Sequence, residues 1–380
     1  MISQRFLQWK DTANVAKRAA AASALGRAYL QCEMDFEDRC GAEAALTLLA
    51  DDPSPKVRFA LAEALALGHR SPPQVIAAFL HDRFEIASMV ASRSPVVCDQ
   101  DLEMVVPGAS DALQAVIAKR PNISKRLIDA LINHGGRDAA CALLSNPTAR
   151  IEEQGLKRLV ERLGEDAGVR GALLDRSDLP VVYRYRLMCE SADALASAPL
   201  FGAIVPASRL ERKTAEAVSS SLMNLINLAD SSDYAELSEA MRELGDLNTS
   251  LLIRAACFGK MDFLAEVLAS LSGQTLPRVT GIFVQDRETP LLALLQAAGF
   301  SQSVQPILIE AICLWKKVAQ GHLQAGPQEI TFRLSEALKT RAKARMDAAN
   351  DDIQSLLRSI YLETMRTNAR SHAIALSQAA

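Results

Sequence analysis

What this chain has little of narrows it first. Aromatic residues make up 5% of its 380 residues, and no Asn-Gly or Asp-Gly pair separates β-branched runs. That removes the usual signals for β-hairpins and for an aromatic platform that stacks single-stranded nucleic acid. No run of about 18 uncharged apolar residues occurs, so no membrane-spanning helix is predicted. Neither sign of charge dominates: 42 Lys and Arg against 45 Asp and Glu leave a net charge of -3. Global attraction to nucleic acid or to an anionic membrane therefore has no basis, and neither is expected as a partner. The start, MISQRFLQWKDTANVAKR, carries charges where a signal peptide needs an apolar core, and a cytoplasmic protein is expected.

The motifs of chemistry are missing as well. Seven cysteines (Cys32, Cys40, Cys98, Cys141, Cys189, Cys257 and Cys313) are scattered, odd in number and free of CxxC spacing, which reads as reduced thiols. The five histidines form neither HxxxH nor HExxH, and His81 with Asp82 reads as a solvated turn between helices. No phosphate-cradling GxxxxGK[ST], no GxGxxG and no GxSxG elbow appears. Paired acids such as Asp51 with Asp52 and Glu152 with Glu153 fall at expected helix starts, where negative charge complements the helix dipole. No catalytic residue, cofactor or metal ligand is expected, and the chain reads as a non-enzyme.

What is present is repetition. Between residues 51 and 190 an apolar helical stretch, a polar residue beside a proline and a second apolar helical stretch recur at a period of roughly 26 to 30 residues, the mark of stacked helix pairs. Pro95, Pro121 and Pro147 sit in the matched contexts VASRSPVVC, VIAKRPNIS and LLSNPTARI, and LLDRSDLPV repeats the theme with Asp178 in the turn. In the sharpest unit, residues 42 to 68, Val57, Ala60, Leu61, Ala64 and Leu65 share one helix face. Leu127, Ile128, Leu131 and Ile132 form a second stripe, and Leu156, Leu159, Val160 and Leu163 a third. At about 1.5 to 3 kcal/mol per buried aliphatic side chain, such stripes need a neighbouring repeat to cover them. The predicted fold is all-α: a right-handed helical repeat array over 1–190 with an N-terminal helical cap, a boundary at 191–206 where SADALASAPLFGAIVP breaks the rhythm, and a second helical domain over 207–380.

The phrases DDPSPKVRFALAEALA (51–66), VASRSPVVCDQDLEMVV, AVIAKRPNISKRLIDALINHG and ALLSNPTARI, in that order, resemble the signature run of the alphaproteobacterial domain of unknown function 2336. The first is also similar to a HEAT repeat. The resemblance spans roughly residues 20–190 and more loosely 251–273 and 291–308. It implies a HEAT-like α-solenoid and supplies no catalytic residues. Within the HEAT-like phrase, Asp52 is expected to cap the following helix and Arg58 to reach a carboxylate or carbonyl next door.

Two clusters are candidates for partner binding. VVYRYRL (181–187) interleaves Tyr183 and Tyr185 with Arg184 and Arg186; such a mix suits peptide or phosphate contacts, and the plainer reading packs the tyrosines and leaves the arginines outside. From Arg333 to Arg345 the basic residues Arg333, Lys339, Arg341, Lys343 and Arg345 face Glu336 alone. An acidic partner could dock there, or the charges could simply complement the helix end. Residues 351–368 are amphipathic, with Ile353, Leu356, Leu357, Ile360, Tyr361 and Met365 on one face, and could pack back on the second domain or form a homodimer. The expected function is a non-enzymatic scaffold or adaptor binding another protein. The alternatives are a nucleic-acid-binding HEAT-like protein, which needs basic residues converging on one groove, and a lyase-type enzyme on a helical scaffold, which needs a pocket with perturbed carboxylates.

Overall fold

Prolines and short polar caps cut the first half of the chain into short helices. In the computed structural model, which describes residues 9–10, 12–197, 207–285, 287–342 and 349–379 (backbone alone for 207–216, 341–342, 349–351, 371–372 and 375–379), α1 (Val15–Gln31) and α2 (Phe36–Ala50) open on Asn14 and Asp35. The side chains of these two residues accept from the N–H groups of Lys17 and Asp38. Helices α3 (Pro55–Leu65) and α4 (Pro73–Leu80) begin on proline, whose missing N–H is harmless in a first turn. There follow α5 (Phe84–Arg93), α6 (Asp99–Val105), α7 (Asp111–Ala118), α8 (Lys125–His134), α9 (Arg137–Leu144), α10 (Glu153–Leu163), α11 (Ala167–Leu174) and α12 (Val181–Ala196). Pro95, Pro121 and Pro147 fall in the turns after α5, α7 and α9.

The chain divides into two compact units, Met1–Tyr183 and Arg184–Ala380, the division falling inside α12. Of the expected boundary segment, residues 198–206 lie outside the described residues. In the first unit α1 packs on α3, α3 on α5, α5 on α7, α7 on α9 and α9 on α11, while α2 packs on α4, α6 on α8 and α8 on α10. Helices α3, α5, α7, α9 and α11 begin at residues 55, 84, 111, 137 and 167, so the period carried by the prolines is the step between packed neighbours. Gly26 lets α1 come close to α3: a Cβ there would lie 2.9 Å from that of Ala64. The expected stripes are inside, with Val57, Leu61, Leu65, Leu127, Ile128, Leu131, Ile132, Leu156 and Leu159 buried, although Ala60, Ala64, Val160 and Leu163 are only half-buried.

The second unit continues with longer helices: α13 (Ala207–Leu228), α14 (Tyr234–Glu243), α15 (Thr249–Cys257), α16 (Met261–Ser272), α17 (Leu276–Val284), α18 (Glu288–Ala297), α19 (Gln305–Ala319), α20 (Pro327–Ala342) and α21 (Ala349–Ala379). Its centre is α15, buried from Leu251 to Cys257, together with Phe263, Leu264 and Leu268 of α16. Helix α21 lies along α20 and buries Ile353, Leu357 and Ile360 within this unit. Leu356 and Tyr361 of the same face are half-buried, and Met365 is exposed. Among the described residues there is no strand, and no helix is long and apolar enough to cross a membrane.

Candidate protein-binding surface

In the first unit, side chains of one helix reach the turns and helix ends of others. Asp52 accepts the Ser54 N–H at 2.8 Å and is bracketed by Arg18, whose Nε and Nη2 lie 2.8 and 3.1 Å from its two oxygens. Its partners are thus an arginine of α1 and the N–H of the residue that precedes α3. Arg58 reaches a carboxylate and a carbonyl together: Asp82 at 2.6 and 2.7 Å, and the Asp52 carbonyl at 2.7 Å. Burial opposes ionisation of Asp52, but the Arg18 bonds and the Ser54 N–H outweigh it and hold the carboxyl below the usual carboxylate range. Arg58 does the same for Asp82. Further along, the rungs end on carbonyls. Arg120 donates to Ala91 and Val97, Asn146 to Ala118 and Arg120, Arg162 to Ile132 and Gly135, and Arg176 to Leu144. Most of these acceptors sit at helix C-termini, where carbonyls have no partner within the helix.

On the solvent side of α3, α5 and α7 lies a depression of about 550 Å³. Phe59 is 40% exposed and Phe84 45%, large fractions for phenylalanine, and both line it with Met89 and Val116. Phe59 and Glu63 stand four residues apart on α3 and so share a face, away from the buried Val57, Leu61 and Leu65. Glu85, Arg93 and Lys119 complete the rim. Lys119 also borders a second depression, about 660 Å³, between α7 and α9, whose floor is made of small residues including Ala112, Ala115 and Ala142. Cys141 lies in this second depression; burial raises its thiol pKa and favours the unreactive protonated form. Sequence reasoning missed Phe59 and Phe84. The available signal was position, because Phe59 is the large apolar residue of α3 that falls off the core stripe.

The residues singled out from sequence lie elsewhere. Tyr183 and Tyr185 are buried, and the Tyr185 hydroxyl donates to Asp246 at 2.8 Å. Burial, then that bond, pushes the Tyr185 phenol up, and burial raises the neighbouring Cys189 thiol to about 11. Arg184 is half-buried, and Arg186 lies 3.6 Å from Glu243. Tyr185 and Arg186 thus both reach the end of α14 and the turn after it. Arg333 and Lys339 instead pair within α20, with Glu329 and Glu336, each at 2.8 Å and exposed. The Arg341 side chain and all of Lys343 and Arg345 lie outside the described residues. No group of three or more His, Cys, Asp or Glu able to hold a metal occurs among the described residues. In the second unit a cleft of about 400 Å³ between α16, α17 and α19 is lined by Phe283, Val284, Ile312 and Trp315.

A family described as an uncharacterised protein conserved in bacteria, DUF2336, matches residues 86–368, from within α5 to α21. The match begins beyond the HEAT-like phrase at 51–66 and takes in both units. No curated protein and no solved structure matches the chain.

Proposed function

This chain belongs to the DUF2336 family of uncharacterised proteins conserved in bacteria, and from that premise we propose that it is a non-enzymatic scaffold or adaptor whose first unit, a HEAT-like α-solenoid, binds another protein across α3, α5 and α7. The packing of every second helix on the next, at the period of the prolines, supports the solenoid reading. One observation carries the binding reading. Phe59 and Phe84 stand part-exposed in a shared depression on helices that the Arg58 and Arg120 bonds hold at fixed spacing. Aromatic anchors in preformed concavities provide much of the binding energy at protein interfaces. The rim of mixed sign, Glu63 and Glu85 with Arg93 and Lys119, fits a protein surface better than a nucleic-acid backbone. The basic turn of α20 is the weaker candidate, because Arg333 and Lys339 already have intrahelical partners.

The test is capture of partners from a bacterial host by the native chain and by a Phe59→Ala/Phe84→Ala variant. A protein that crosslinks to the native chain should bind the variant at least about ten-fold more weakly, as expected for two interface anchors, with the circular dichroism spectrum unchanged. Equal binding to both would overturn the assignment of this surface.

A further inference from the structure

The groove over α3, α5 and α7 also has the chemistry to choose its occupant, an inference that rests on reading that groove as the partner-binding surface. Its walls are the outer faces of helices, whose backbone N–H and C=O groups are paired within each helix. The polar groups it offers are side chains: Ser88, Ser92 and the charged rim. An extended peptide laid against such walls would bury main-chain groups without partners, whereas an α-helix brings its own backbone bonds. Packed helices lie about 8–10 Å apart, close to two turns of a ligand helix at about 1.5 Å per residue. Apolar side chains seven residues apart on one face of a ligand would then meet Phe59 on α3 and Phe84 with Met89 on α5.

The charges set its polarity. Glu63 lies on α3 and Glu85 at the start of α5, while Arg93 ends α5 and Lys119 follows α7. The side chain of none of the four takes part in an ion pair or hydrogen bond among the described residues, unlike those of Arg18, Arg58 and Arg176 of the same unit. The geometry points to an amphipathic α-helix of a partner protein, basic where it crosses Glu63 and Glu85 and acidic where it crosses Arg93 and Lys119.

The experiment selects binders of the full chain from a displayed library of helices of about 18 residues, long enough to hold helical structure, with leucine fixed along one face and the other positions randomised. Enriched clones should carry Lys or Arg in one half and Asp or Glu in the other. A peptide made from such a clone should bind a Glu63→Lys/Glu85→Lys variant about ten-fold more weakly and regain affinity when its basic half is changed to glutamate. Clones that need Phe59 and Phe84 but show no charge pattern would overturn the charge-matched helix and leave the surface reading standing. Clones that bind the Phe59→Ala/Phe84→Ala chain as well as the native one, or the absence of any enrichment, would overturn both. Equal enrichment of clones with a central proline would rule out a helical occupant. Self-association of the native chain in sedimentation, abolished by Glu63→Lys/Glu85→Lys, would identify the occupant as a second copy and overturn the proposal. Circular dichroism checks the fold of each variant, and Met89→Lys gives the same readout should the phenylalanine pair fail to fold.

Discussion

The two units end their helices differently. In the first, side chains from a neighbouring repeat reach the turn: Arg58 bonds to Asp82, Asn146 to the carbonyls of Ala118 and Arg120, and Arg176 to that of Leu144. In the second, the helix ends close on themselves with left-handed glycines, Gly245, Gly259, Gly273, Gly299 and Gly321, and no described glycine of the first unit has a positive φ. A turn of the first kind is bonded to a side chain 24 to 32 residues away in sequence. A turn of the second kind closes on its own glycine, although two of them also receive a side chain from elsewhere in the unit: Tyr185 donates to Asp246 after α14, and the Trp315 indole donates to the Ala256 carbonyl at the end of α15. That difference suits a preformed outer surface across α3 to α9, whose packed helices are also joined by bonds of the first kind.

A core cavity should be blind to this distinction, and it is the largest expected effect. Leu127→Ala in the first unit and Phe263→Ala in the second should each cost about 2 to 5 kcal/mol in urea unfolding, because both side chains are fully enclosed. The rungs should separate the units. Arg58→Ala strips Asp82 and the Asp52 carbonyl of a charged donor and should cost about 1.5 to 3 kcal/mol. Arg242→Ala, which removes only an exposed pair with Glu239 on α14, should leave the urea midpoint nearly unchanged. Equal losses would mean that the Arg58 bonds do not couple α3 to the turn before α5.

Glycine should reverse the contrast. Gly259 has φ 74° and a Cβ there would meet the Trp315 ring at 2.8 Å, so Gly259→Ala should cost about 1 to 3 kcal/mol and shift tryptophan fluorescence. Gly171, in α11 of the first unit, has open space around it, and alanine there should stabilise by about 0.5 to 1 kcal/mol. Acid should act through the rungs too. The folded-state pKa values of Asp52 and Asp82 lie below those of the unfolded chain. Their contribution is therefore present above about pH 4 and is lost as pH falls through the lower, folded values. The melting temperature should drop over that range, and an Asp52→Asn/Asp82→Asn variant should show a shallower drop. The smallest effect is at the surface: Lys125→Ala, which loses an exposed partner in Glu152, should leave the melting temperature and the urea midpoint unchanged.

Much of the first unit was legible in advance because its signals are local. A proline beside a polar residue stops a helix wherever it occurs, and Leu127, Leu131, Leu156 and Leu159 fall on one face by spacing alone. Arg58 was read correctly as a link to the next repeat, whereas the Arg18 partner of Asp52 could not be found by spacing, since the two lie on different helices. The proposed binding surface was not legible as a site. Phe59 and Phe84 are single residues in otherwise ordinary helices, whereas Tyr183 and Tyr185 are buried, as the plainer reading of their cluster has it. Whether an aromatic side chain faces the core or the solvent depends on which neighbour covers it, and for Tyr185 the turn that it bonds to is 61 residues away in sequence.

The sequence by itself determined the helices, their ends and the step between them, because caps, prolines and apolar stripes act within one or two turns. Only the tertiary structure decided that Phe59 and Phe84 share one depression and that Tyr185 is tied to Asp246. It likewise left the side chains of Glu63, Glu85, Arg93 and Lys119 around one groove with no partner among the described residues. Those outcomes depend on the distance between helices far apart in the chain, which packing sets and local periodicity does not encode.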